Sequence, residues 1–323
     1  MAASNKPAHL DSSELGTKEY WDKLYTVELA NHAANPSDTG TDWFDDSGAQ
    51  DRIVSFLESL AGEEQRLLPR PLSQAEASFL DLGCGNGSLL FALRDGGWRG
   101  GMLGVDYSAQ SVALAKQIAA SREAEGEGEE EEEEEEEGKE EEEGKEEEEG
   151  KEEEEGKEEE EGKEEEEEEG EEGREEEENN DSSAAPPVRF LEWNLLAGPL
   201  VPDDDPSSPL AYASSPSGLF DIILDKGTFD AISLSTAEPS PPSSSPAAAH
   251  PCESYRRRLL QLLSPAGGIF LVTSCNWTEA ELRSWFEDDA DGQLRVVGRV
   301  EYPTFTFGGV KGQTISTLCF RRG

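Results

Sequence analysis

The residues best placed to do chemistry sit in one stretch, Phe79 to Ser88, which reads FLDLGCGNGS. Phe79, Leu80 and Leu82 suit a buried parallel strand, and Asp81 puts a single charge just ahead of a turn. Gly83, Gly85 and Gly87 allow a tight backbone turn that a ligand can approach with no Cβ in the way. LLFAL, residues 89–93, then predicts a helix whose free N–H groups and positive end face the turn. A ligand is expected above the carboxyl end of the strand.

The spacing narrows the choice of ligand. A dinucleotide fingerprint is G-x-G-x-x-G, and Ser88 stands where its third glycine would fall. An acid before the glycines repels a pyrophosphate and suits an ammonium or sulfonium, which favours S-adenosylmethionine. MLGVDYS, residues 102–108, is a second strand ending in Asp106, at the distance where a carboxylate meets ribose hydroxyls. This pair of strands with acidic ends resembles motifs I and II of the class I, Rossmann-like methyltransferases. An NAD-type site and a glycine turn made for packing alone are the competing readings.

The elements that must hold such a site alternate along the chain. LGTKEYWDKLYTVELA, residues 15–30, has helical spacing with Thr17 as N-cap; it is either a helix covering the sheet edge or an aromatic lid over the cofactor. DTGTDWF, residues 38–44, is a turn carrying two large aromatics and is expected near the site mouth. Ile53, Val54, Phe56, Leu57 and Leu60 share one helical face of a core helix. Ser108 caps a further helix with Val112, Leu114, Ala115 and Ile118 on its apolar side. Strands are predicted from Val188, with Asn194 at the carboxyl end; over 219–224, ending at Asp225; and into Ser274. Helices are predicted over 226–234, over 254–263 with a basic stripe at Arg256, Arg257 and Arg258, and over 278–286. Segments 294–302 and 314–321 read as an antiparallel hairpin. The fold class is therefore α/β, a mostly parallel seven-stranded sheet with helices on both faces and that hairpin at the C-terminus.

Composition separates one segment from the rest. Residues 123–178 hold 40 Glu and 6 Lys or Arg, a net of −34 out of −47 for the whole chain. Within it GKEEEE repeats with a period of six, with nothing apolar to bury, so 123–187 is expected to be an acidic, disordered insertion in one domain made of 15–122 and 188–323. Residues 1–14 are expected to be disordered, and 198–218 and 235–251 to be Pro/Ser-rich loops. The remainder is mildly acidic, which argues against direct nucleic-acid binding. No run of eighteen apolar residues points to a membrane. Cys84, Cys252, Cys275 and Cys319 show no C-x-x-C spacing, and His9, His32 and His250 fall outside the strand and helix pattern. No metal site is expected, and the cysteine usage fits a cytoplasmic protein, a monomer being the simplest state.

LDKGTFDAISL (224–234), TSCNWTEAEL (273–282) and FTFGGVKGQT (305–314), with LGTKEYWDKLY and TGTDWF upstream, closely resemble the elongation factor 1-alpha lysine methyltransferase 2 family. The resemblance covers most of the chain apart from the acidic insertion and the two Pro/Ser loops. It implies transfer of a methyl group from S-adenosylmethionine to a lysine of translation elongation factor 1-alpha. Asp81, Gly83, Gly85 and Gly87 are then expected at the methionine end, Asp106 at the ribose, and Tyr107 and Asn194 at the adenine. Relatives usually carry an acid where Asn194 stands. Asp225, at a strand end, is expected to orient the lysine amine, unless it merely caps the following helix; Phe229, Trp277 and Phe305 are candidates for channel walls, though each could be core. Asp230 and Lys226 are expected to make structural hydrogen bonds or ion pairs. Two alternatives remain: a class I methyltransferase of a small molecule or RNA, and an acidic scaffold or chaperone on a non-catalytic methyltransferase fold.

Overall fold

The computed structural model describes residues 6–124, 185–201, 205–215, 217–235, 250–287, 292–307 and 310–323. The chain divides into one unit, 1–119 with 185–323, and the intervening 120–184. Most of the expected acidic insertion, most of the 235–251 loop and the first five residues thus lie outside the described residues.

A seven-stranded sheet forms the first unit. Its strands are β1 (Phe79–Leu82), β2 (Met102–Asp106), β3 (Arg189–Glu192), β4 (Ile222–Lys226), β5 (Ile269–Ser274), β6 (Leu294–Val300) and β9 (Ser316–Arg322), in the order β3-β2-β1-β4-β5-β9-β6. β1 to β5 pair in parallel, and β9 runs antiparallel to both of its neighbours. The expected antiparallel pair is present, with β9 inserted between β5 and β6. A small ribbon not foreseen from the sequence, β7 (Thr304–Phe307) with β8 (Val310–Gln313), fills the connection between β6 and β9.

Because side chains alternate along a strand, each inner strand supplies two cores. Ile269 and Leu271 enter one, Phe270 and Val272 the other. Helices α1 (Lys18–Ala34), α2 (Ala49–Ala61), α3 (Ser88–Asp95) and α4 (residues 109–124) contribute to the first face. Helices α5 (Thr228–Ser233), α6 (Pro251–Leu262) and α7 (Glu279–Phe286) contribute to the second. The expected caps form, with Thr17 accepting from Tyr20 N–H and Ser108 from Ser111 N–H, and Thr278 adds a capping box with Glu281.

Three expectations need correcting. Residues 6–14 are ordered against the domain: Leu10 packs on the second core, Ser13 N–H donates to the Leu234 carbonyl, and Lys6 pairs with Glu253. Arg256, Arg257 and Arg258 do not make a basic stripe, since consecutive helical residues point 100° apart. Arg256 donates to the Phe286 carbonyl and Arg258 to those of Leu195 and Gly198. Within 198–218, Pro209–Tyr212 forms a 3-10 turn with Pro209 buried. Among the described residues no helix is long and apolar enough to cross a membrane.

The first unit has its own two-sided core, so a chain in which a short Gly/Ser linker replaces residues 125–184 is expected to melt at the same temperature as the full chain. Paired calorimetric scans check this; a lower melting temperature would mean that the segment supports the core.

Candidate functional site

The sheet order reverses between β1 and β4, and at that switch point a cavity of about 220 Å³ opens beyond the strands' carboxyl ends. Five strand ends feed it. Gly83 follows β1, Asp106 and Tyr107 end β2, Asn194 follows β3, Lys226 to Thr228 leave β4, and Cys275 and Asn276 leave β5. A smaller recess beside it runs under the glycine turn and is lined by Asp81, Gly83, Gly85, Tyr25, Trp43 and Lys226.

The glycines serve packing more directly than the sequence suggested. A Cβ on Gly83 would stand 1.9 Å from Thr228 Oγ1, one on Gly85 2.7 Å from the Tyr25 hydroxyl, and one on Gly87 2.7 Å from Phe190. All three also have positive φ. The turn is thus bare so that α5, α1 and β3 can close on it, and only Gly83 and Gly85 remain at the recess.

Two buried acids flank the turn. Asp106 accepts from Gly85 N–H at 3.2 Å and Ser108 N–H at 2.8 Å, tying the turn to the end of β2. Burial pushes its pKa up to about 6, against those two hydrogen bonds. Asp81 is raised to about 7 by burial, opposed by the charge of Lys226. No described residue donates a hydrogen bond to Asp81, so a buried carboxylate faces the recess with only the charge of Lys226 to balance it.

The opposite wall is aromatic and comes from α1 and the loop after it. Trp21, Tyr25, Trp43 and Phe44 line the cavity, with Trp21 and Trp43 edge to face at 5.1 Å. The Trp43 indole N–H is buried with no partner. The 38–44 loop is held where it starts, with Asn86 donating to the Thr39 carbonyl and Thr41 N–H donating to Glu28. Phe44 has φ 68°, the one non-glycine residue with positive φ among those described, a conformation costing roughly 1–2 kcal/mol. Both sequence signals, the aromatic helix and DTGTDWF, marked this wall, but none of its four aromatics was named as a site residue.

Several named residues prove to lie elsewhere. Asp225 is enclosed: its carboxylate accepts from Thr228 N–H, Phe229 N–H and the Tyr255 hydroxyl, and it does not reach the cavity. It caps α5, because a strand ending in an acid beside a helix N-terminus satisfies the helix's free donors first. Burial nonetheless lifts it to about 7. Phe229 and Trp277 are core, packed with Tyr255, Trp285 and Phe286, and the Trp277 indole donates to Ser233. Phe305 lies in β7 opposite Gly312, and its side chain is outside the described residues. Asn194 does line the cavity, yet its Oδ1 accepts from Leu196 and Ala197 N–H, which leaves its amide N–H groups to offer a ligand. Tyr107 lines it too, beneath Lys18 at 5.5 Å from the ring.

Two residues expected to be structural also border the cavity. Asp230 is bonded by the Ser274 hydroxyl and Cys275 N–H, and burial raises its pKa. Lys226 pairs with Asp42 and donates to the Trp43 carbonyl. His9, His250 and Cys252 bring their ligand atoms within 4.8 Å, but the two rings stack at 16°, so their lone pairs lie in nearly parallel planes and do not converge on one ion.

The whole arrangement suits a ligand with a positive charge near Asp81, hydroxyls near Asp106 and a flat apolar part by Tyr107 and Asn194. A family model described as "Methyltransferase domain" matches residues 73–137. The chain is 31% identical to the protein-lysine N-methyltransferase EFM4 of Saccharomyces cerevisiae, over 97% of this chain and 96% of that one. It is 29% identical to efm4 of Schizosaccharomyces pombe, over 97% and 95%, and 26% identical to the human EEF1A lysine methyltransferase 2, over 96% and 87%.

Replacing Asp225 by Ala strips the acceptor from two helix N–H groups and a buried tyrosine. It is expected to lower unfolding free energy by about 2–4 kcal/mol, measured by urea titration. A variant as stable as the wild type would reopen a catalytic role for Asp225.

Proposed function

From a chain that belongs to the family of protein-lysine N-methyltransferases, we propose an enzyme that methylates a lysine of translation elongation factor 1-alpha, with S-adenosylmethionine as donor. The observation that carries the donor is Asp81, a buried carboxylate beside the glycine turn that no described residue satisfies. Asp81 with Gly83 and Gly85 would hold the amino-acid end, Asp106 the ribose, and Tyr107 and Asn194 the adenine. Bound S-adenosylmethionine supplies a methyl group on a sulfonium, ready for in-line displacement. The acceptor follows the names of the relatives called EEF1A lysine methyltransferase 2, such as the human one, which matches over 96% of this chain and 87% of its own. Four free cysteines accord with a reducing, cytoplasmic setting.

The chain's own residues then have three tasks. A lysine amine of ordinary pKa about 10.4 loses its proton at a cost of roughly 4–5 kcal/mol at pH 7. Trp21, Trp43 and Phe44 reduce that cost by offering an apolar wall that disfavours the ammonium. Asp230 and Asn276 on the far wall place a carboxylate and an amide where positive charge builds on the nitrogen. Tyr25, packed over Gly85, keeps water from the turn. No histidine base enters, since water can remove the proton before the amine is sealed in.

Labelled S-adenosylmethionine with purified elongation factor 1-alpha tests the reading directly; absence of transfer despite cofactor binding would point to another acceptor. Asp230→Asn is expected to lower kcat on the order of tenfold to a hundredfold with little change in cofactor Kd. Asp81 gives a pH signature. Its folded pKa of about 7 means that the carboxylate is protonated below that value, so affinity for a cationic donor should rise with pH and level off above 7. Below 7 the slope should be up to about tenfold per pH unit, and Asp81→Asn should weaken binding and flatten the profile. Equilibrium dialysis from pH 5.5 to 8.5 would measure both.

A further inference from the structure

Lys226 is the cation that both parts of the site share, lining the main cavity and the recess under the glycine turn. Beyond its charge on Asp81, its side-chain hydrogen bonds are both to one loop. Its ammonium pairs with Asp42 at 2.5 Å and donates to the Trp43 carbonyl at 2.9 Å. The Lys226 and Asp42 side chains are 11% and 24% exposed, so the pair is screened less than a surface pair.

The loop needs that hold. Its start, at Thr39 and Thr41, is anchored to Asn86 and Glu28, whereas at Asp42 and Trp43 the contacts are Lys226 and a long 3.4 Å bond from Ser88. The next residue, Phe44, is in the left-handed conformation, which the contacts on either side of it must maintain. The Trp43 indole N–H has no partner of its own, so the ring is held by its edge-to-face packing on Trp21 and by the backbone contact from Lys226. We propose that Lys226 is a positioning residue that latches the 38–44 loop shut, setting Trp43 and Phe44 as the wall against which the acceptor lysine lies. The role of that wall rests on the reading given above; the latch itself does not.

The experiment uses the full chain with Lys226→Met, Asp42→Asn, the double variant and Lys226→Arg. Amide hydrogen exchange in residues 38–44 is read without acceptor. Exchange is expected to quicken tenfold or more in each of the first two, no further in the double, and to stay near wild type in Lys226→Arg. With acceptor, KM for elongation factor 1-alpha should rise at least tenfold in Asp42→Asn, which breaks the pair but leaves the Lys226 charge beside Asp81, while the Kd for S-adenosylmethionine moves less than threefold. Unchanged exchange in 38–44, additive effects in the double variant, or equal loss of cofactor affinity would each overturn the latch. A wild-type chain that transfers no methyl group to elongation factor 1-alpha, with the exchange pattern as expected, would overturn the acceptor and leave the latch standing.

Discussion

Thr228, Tyr25 and Phe190 occupy the space that side chains at 83, 85 and 87 would need, and almost everything else in the site follows from that close approach. Because α5, α1 and β3 all reach the same three-glycine turn, the carboxyl ends of neighbouring strands and the first helix meet around one point. The Thr228 hydroxyl continues the contact by donating to the Leu82 carbonyl, which stitches the start of α5 to the end of β1. A single Cβ in the turn would push apart two elements at once. The cavity is thus a by-product of how tightly the backbone can be approached.

Charge is the second constraint. Asp81, Asp106, Asp225 and Asp230 are all buried near these strand ends, and burial raises the pKa of each. Three of the four are satisfied by backbone N–H groups, in Asp225 and Asp230 with a hydroxyl as well, and serve as struts. Asp106 and Asp230 also border the main cavity with these donors in place, whereas Asp81 faces the recess with only the charge of Lys226 beside it. A cationic ligand in the recess would complete the balance without a second protein cation there.

The residues that were misplaced share a cause. Asp225, Phe229 and Trp277 belong to motifs specific enough to mark the family, but neither that specificity nor a strand-end position implies nearness to the substrate. DKGTFD instead builds the joint between β4 and α5: Asp225 caps the helix, Phe229 enters the core and Asp230 reaches across to Ser274. Conversely the aromatic wall came from the N-terminal helix and loop, whose periodicity is equally that of a packing helix. Nothing in a helical repeat says which face meets a cavity until the sheet is in place.

Order along the chain was legible in the sequence because it depends on local physics. Alternating apolar strands, capped helices and a glycine turn between an acid and a helix specified a mostly parallel α/β sheet and put the expected ligand above the strand end beside Asp81. The acidic segment separated itself by having nothing to bury. Tertiary structure decided which acids face the cavity and which are consumed as caps, since that depends on donors far away in sequence, such as Tyr255 for Asp225. It also decided that Lys226 meets Asp42 across 184 positions, because a long-range ion pair leaves no periodic trace in the chain.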